Sequence, residues 1–200
     1  MDDDGIDRRA VLAAAGGGTV VALAGCLGVF DDEDIPEPVS LDEGQACDQC
    51  NMIIDRHPGP VGQSYYLDDV PTALEDREDG HAHFCSTWCM YSFNLDQEDR
   101  GFDVTGSYGT DYSSVEYEIG EDAGALVIDP TPHPNLGAEA FERVSELVFV
   151  VDSDVEGAMG SSLIGFSAEA DASAFADEYG GELLEDDDVT FELISAMSTS

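Results

Sequence analysis

Within one run of six residues, Cys47-Asp48-Gln49-Cys50-Asn51-Met52, the chain gathers two thiols and a thioether. Sulfur is scarce elsewhere, since the 200 residues hold five cysteines and five methionines in all. Thiolate and thioether donors together select a soft, polarizable ion, above all Cu(I), whereas carboxylates suit hard cations. This sulfur-rich segment therefore points to a copper(I) site. A second sulfur cluster, Phe84-Cys85-Ser86-Thr87-Trp88-Cys89-Met90, and Met159, alone between small residues, are the candidates to complete the shell. His57, His81 and His83 are secondary candidates. His81 and His83 alternate along an expected strand and so share one of its faces.

The same residues admit three other readings. Cys47 and Cys50 have the spacing of a redox dithiol, but residues 51–54 read as extended, so the strand-to-helix setting that makes such a thiolate reactive is missing. Cys47, Cys50, Cys85 and Cys89 have the spacing of a structural zinc site, for which four thiolates in a tetrahedron are a common arrangement. That reading makes the chain a zinc module serving as a heavy-metal sensor or interaction domain, and it leaves Met52 without a role. Met52 and Met159 also suit a hydrophobic core. No Ser-His-Asp signature or glycine-rich phosphate loop accompanies them, and the acids are too many for any catalytic pair to stand out, so no enzyme is expected.

The elements that must position these residues form an α+β pattern. Residues 61–67 and 81–84 read as strands bracketing an acidic turn region, 68–80. After Ser86 as N-cap, Trp88, Tyr91, Ser92 and Leu95 fall at i, i+3, i+4 and i+7, which predicts a short helix. Residues 112–119 supply the fourth element of this first unit, 45–124. A proline-containing connector, 125–136, leads to a second unit, 137–195, before a tail at 196–200. There, 146–151 and 163–166 read as strands and Ser167 as a helix cap. Ala172, Phe175, Ala176 and Tyr179 form an apolar stripe that Gly180-Gly181 ends, and a final strand is expected within 189–194. The fold class is thus two successive strand-strand-helix-strand units.

Residues 1–25 read as a secretion signal. Paired Arg8 and Arg9 suit twin-arginine export, and an apolar, Ala/Gly-rich run leads to Leu23-Ala24-Gly25-Cys26, similar to a lipoprotein processing box. Cleavage before Cys26 would make it the mature N-terminus, and a lipid on its thiol would hold the chain at the outer face of the cell membrane. Residues 26–44, acidic and carrying Pro36 and Pro38, suit a tether between lipid and fold.

Several stretches together resemble the NosL family, in its haloarchaeal form: Cys50-Asn51-Met52-Ile53, Asp55-Arg56-His57-Pro58-Gly59-Pro60, His83-Phe84-Cys85-Ser86, Ala158-Met159-Gly160, and Ala174-Phe175-Ala176-Asp177-Glu178-Tyr179-Gly180-Gly181. The resemblance implies a lipid-anchored Cu(I)-binding protein that assists copper loading of nitrous oxide reductase. It implies Cys50, Met52 and Met159 as ligands. Asn51 stands where the family usually has Gly, and Ala158 where it often has Pro; Asn tolerates the left-handed backbone a Gly would supply. The first half is also similar to the small TRASH and YHS metal-binding modules, which would instead use the four thiols.

Charge bounds the partners. Forty-five acidic residues face six arginines and no lysine, a formal net charge of −39. Nucleic-acid binding needs a basic footprint and is excluded as an expectation. Acidity spread over the whole chain suits a halophilic host, where molar salt cuts the Debye length to about 3 Å and screens the self-repulsion. Dialysis from molar salt to roughly 0.1 M, where the Debye length is about 10 Å, is expected to unfold the protein. Circular dichroism checks it, and a spectrum unchanged across that range contradicts the argument.

Overall fold

The computed structural model describes residues 35–130 and 135–197; the signal segment and Cys26 lie outside the described residues. β1 (Gly62–Tyr65) and β2 (Ala82–Phe84) are linked through two 3-10 turns, Thr72–Leu74 and Glu78–Gly80, and are followed by α1 (Thr87–Asp99) and β3 (Gly106–Thr110). β1 lies between β2 and β3 and runs antiparallel to both. β4 (Ile119–Asp122) and β5 (Ala125–Ile128) form a hairpin, and β6 (Phe141–Arg143) adds to the free edge of β3. Then come β7 (Val148–Val151), β8 (Val155–Glu156), β9 (Ile164–Phe166), α2 (Glu169–Tyr179), β10 (Glu182–Glu185) and α3 (Phe191–Met197). β7 is central between β9 and β10, again antiparallel to both, and β8 pairs parallel with β5.

The strand-strand-helix-strand unit thus occurs twice, each time with its first strand in the middle and the strand after the helix on the far side. Among the described residues, no helix is long and apolar enough to cross a membrane.

Ser86 begins α1 as its sequence suggests: its backbone is extended and its hydroxyl accepts the Cys89 N–H at 3.0 Å. The helix face differs from the expected stripe. Met90, Phe93, Asn94 and Gln97 form the buried row, while Trp88, Ser92 and Leu95 are only half-buried. Polar Asn94 can lie inward because its side chain takes up three hydroxyls, those of Tyr66, Ser64 and Ser107. Trp88 turns sideways to α3, where its indole N–H donates to the Ile194 carbonyl at 3.0 Å. Gly62 of β1 lets this helix close in, since a Cβ there would stand 2.8 Å from the Met90 sulfur.

Three other expectations are corrected. The fourth element of the first unit is β3, not 112–119. Its Gly106 and Gly109 suggest a loop, but a Cβ on Gly106 would meet Ile35 at 2.5 Å, so glycine there serves close packing. Residues 112–118 instead follow a turn built on Asp111, whose Oδ1 accepts the Ser113 N–H at 2.9 Å. Ser167 is not a helix cap. Its N–H and hydroxyl both donate to Asp111, each at 2.8 Å, and α2 begins after Ala168 with no side-chain cap. The last strand is β10, which starts directly after Gly180 (φ 75) and Gly181 (φ 105) reverse the chain. Residues 191–197 are helical, with Thr190 accepting the Leu193 N–H and Ile194 and Met197 buried.

Part of the expected connector, Ala125–Ile128, is strand β5, and residues 131–134 lie outside the described residues. Residues 35–41, expected within the tether, are seated on the first sheet. There Tyr108 donates to the Pro36 carbonyl, Tyr65 donates to the Glu37 carbonyl, and Leu41 is buried. One core cluster runs through both units and joins Phe84, Cys85, Cys89 and Met90 to Phe149, Val151, Leu163 and Ile194. Each large apolar side chain buried there contributes about 1.5–3 kcal/mol. The cysteine pair of the first unit is therefore set into a wall that the second unit holds in place.

Candidate metal centre

The first pair of thiols sits in a short closed loop. Ala46 and Ile53 form an antiparallel bridge, the Cys47 N–H donates to the Met52 carbonyl at 2.8 Å, and the Asn51 N–H donates to the Cys47 carbonyl at 2.8 Å. Closing so small a loop requires a left-handed residue, and Asn51 supplies it with φ 63. Residues 51–54 are accordingly not an extended run: a turn at Asn51 and a 3-10 turn from Ile54 bound a single bridged residue, Ile53.

The second pair is delivered by the junction of β2 and α1. Cys85 follows the last residue of β2, and Cys89 stands in the first turn of the helix that Ser86 caps. Four residues apart on this turn, the two sulfurs lie 3.7 Å from each other. The loop thiol Cys50 approaches Cys85 to 3.4 Å, and all four sulfurs lie within 4.8 Å of one another. A tetrahedral ion with metal–sulfur bonds of about 2.3 Å spans sulfurs about 3.8 Å apart, so these donors fit one ion. Cys47, Cys85 and Cys89 are 2%, 0% and 0% exposed, and Cys50 is half-buried.

The thiols are electrostatically unequal. Hydrogen bonding from the Cys85 and Cys89 thiols, aided by backbone N–H groups and opposed by burial, holds the Cys47 thiol far below the usual range. The donors Cys85 and Cys89 are pushed well up, first by those same hydrogen bonds and then by burial.

Two residues that the sequence did not single out fasten the loop. Asp48 donates its N–H to the His83 carbonyl and accepts the His83 N–H at 2.8 Å, which clamps the loop onto β2 directly before Cys85. The other Asp48 oxygen accepts from Arg77 at 2.7 Å, and Arg77 also reaches His83 Nδ1 at 3.1 Å. An arginine in so acidic a chain, and an acid between two cysteines, were the available signals. Burial, and then the charges of His83 and Arg77, push His81 down to about 4, and burial likewise lowers His83. His83 Nδ1 stands 3.7 Å from Asp48 Oδ2.

The remaining candidates are spread around this cluster. Met52 closes the loop and is half-buried against the core. Met159 is 40% exposed on the turn that Gly157 and Gly160 close with mutual hydrogen bonds. That turn rests on the loop's continuation, since a Cβ on Gly157 would lie 2.5 Å from the Gly59 carbonyl oxygen. Nearby Ser162 lies 3.2 Å from the hydroxyl of Thr87, which stands between Cys85 and Cys89 in sequence. Met52 thus belongs to the loop that carries Cys47 and Cys50, and Met159 to a turn of the second unit. His81 and His83 share one side of β2 with rings 5.6 Å apart, but His81 is engaged with Gln63 at 3.0 Å and His83 with Arg77. His57 is half-buried beyond the 3-10 turn Ile54–Arg56.

A family model described as NosL matches residues 38–194. The chain belongs to the NosL family. It is 31% identical over 185 residues to the copper-binding lipoprotein NosL of Stutzerimonas stutzeri, a match spanning 90% of this chain and 83% of that one. Its fold matches the crystal structure of the copper chaperone NosL from Shewanella denitrificans with a TM-score of 0.58 and 29% identity, over 78% of this chain and 98% of that one. The α+β architecture is thus that of a NosL protein.

Asp48→Ala removes a buried acceptor and leaves the His83 N–H unsatisfied. It is expected to cost about 2 kcal/mol, most of it from that bond, because Arg77 is 36% exposed and the ion pair itself is worth at most about 1 kcal/mol. Asp48→Asn, which keeps an acceptor, should recover part of the loss. Denaturant unfolding in molar salt measures both, and an unchanged midpoint for Asp48→Ala contradicts the clamp.

Proposed function

We propose that this protein is a lipid-anchored, extracytoplasmic carrier that holds Cu(I) as cargo on Cys50, Met52 and Met159 and passes it to a copper enzyme, nitrous oxide reductase above all. The observation that carries this reading is the unequal exposure of the sulfurs. Cys50 is the half-exposed thiol of the four, Met52 follows it on the same loop, and Met159 stands exposed on the neighbouring turn. A cargo ion must be reachable by the protein that takes it, and these donors are reachable.

The chemistry suits transfer. Thioethers stay neutral, need no deprotonation and exchange readily, while one thiolate supplies charge and affinity. The relatives support the assignment through their names, one a copper-binding lipoprotein and the other a copper chaperone. Lipidation at Cys26 would keep the carrier at the outer face of the membrane, beside secreted copper enzymes.

Met52→Leu and Met159→Leu nearly conserve apolar bulk, so each is expected to change stability by less than about 1.5 kcal/mol. Each should weaken Cu(I) binding by tenfold or more. Competition titration against a Cu(I) chelator under reducing conditions measures this, and an affinity insensitive to both substitutions contradicts the ligand set.

A further inference from the structure

The cargo set of Cys50, Met52 and Met159 leaves Cys47, Cys85 and Cys89 without a role, although these are the most deeply buried sulfurs of the group. We infer that the four thiols form a second, inner site that holds a resident zinc ion and shares only Cys50 with the outer set. The inference rests on the copper reading for the outer site alone.

Three observations converge on it. All four sulfurs lie within 4.8 Å of one another, with contacts of 3.4 and 3.7 Å, close to the edges of a tetrahedron around one ion. Other donors beside them are engaged: the Asp48 carboxylate holds Arg77 and the His83 N–H, and the His83 ring faces Arg77. The first shell is therefore sulfur alone, and tetrahedral four-sulfur sites select zinc or iron. Finally, the thiols come from separate pieces of chain, the loop 46–53 on one side and the β2–α1 junction on the other. An ion between them fastens the loop in the way closed structural sites do.

Zinc enters as the hydrated divalent ion and forms four Zn–S bonds. The thiol protons pass to solvent, and no oxidation state changes. A thiolate keeps lone pairs after binding one metal, so Cys50, at the rim, can bridge to a cargo ion outside. The sequence sets a four-thiol zinc module against a thiol-thioether copper site as rivals, but the two are spatially compatible.

The test uses the full-length protein, purified without chelator. One zinc per chain is expected to survive dialysis, and exchange with Co(II) should give the visible bands of a tetrahedral thiolate site. Cys85→Ser and Cys89→Ser should weaken zinc more than tenfold, while Met52→Leu and Met159→Leu keep it. Cu(I) added to the zinc-loaded protein should bind at one equivalent without releasing zinc. Should the cysteine variants fail to fold, the Co(II) spectrum of the unaltered protein decides alone. Absence of both zinc and the thiolate bands overturns the inner site. Stoichiometric expulsion of zinc by Cu(I), with copper lost in the cysteine variants, also overturns it and leaves copper carriage standing on a single site. Retained zinc with no copper uptake supports the inner site and removes the copper reading.

Discussion

Ser86 lies extended at the end of β2 and accepts the Cys89 N–H, and the turn this bond starts holds Cys85 and Cys89 on one face, 3.7 Å apart. Everything else at the centre is brought to that turn. The loop 46–53 arrives through Asp48, whose N–H donates to the His83 carbonyl and whose carboxylate accepts the His83 N–H, one strand residue before Phe84. The second unit is fastened to the same turn through the Thr87 hydroxyl, which donates to the Leu163 carbonyl at 2.6 Å and contacts Ser162. A slip of β2 by one residue would turn the face of every side chain on it and separate the two pairs of thiols.

The duplication of the strand-strand-helix-strand unit has a physical use here. The first unit supplies the thiols, and the second closes over them with Phe149, Leu163 and Ile194 in a common core. Asp111 ties the units at their border by accepting from Ser113, Ser114 and Ser167. Cys47, Cys85 and Cys89 are thereby kept from solvent by packing, while Cys50 is half-exposed. A carrier of a soft ion needs both conditions: a rigid floor that does not rearrange as the ion leaves, and an exposed exit.

The sequence was legible where local chemistry decides the outcome. The Ser86 cap, the α2 stripe of Ala172, Phe175, Ala176 and Tyr179, and the stop at Gly180 and Gly181 follow from propensity and periodicity, and they stand as expected. Legibility failed where distant partners decide. Gly106 and Gly109 suggest a loop until Ile35 and Leu147 are seen against them. Asn94 is an unsuitable core residue until three hydroxyls meet it. The short helix Phe191–Met197 stands where a strand is expected because it rests on Thr190 and on contact with α1, neither a strong sequence signal. The four cysteines are all visible in the sequence as candidates, but their convergence is a tertiary fact, and Asp48 and Arg77 gain meaning only through it.

The account assigns sulfur to the whole of the cargo's coordination shell and leaves the histidines to structural hydrogen bonds. X-ray absorption at the copper edge of the Cu(I)-loaded protein tests that most directly. The account predicts a first shell of sulfur alone, which loses sulfur scatterers when Met52 and Met159 are both replaced by leucine. A shell containing imidazole nitrogen, or one unchanged by that double substitution, would contradict it.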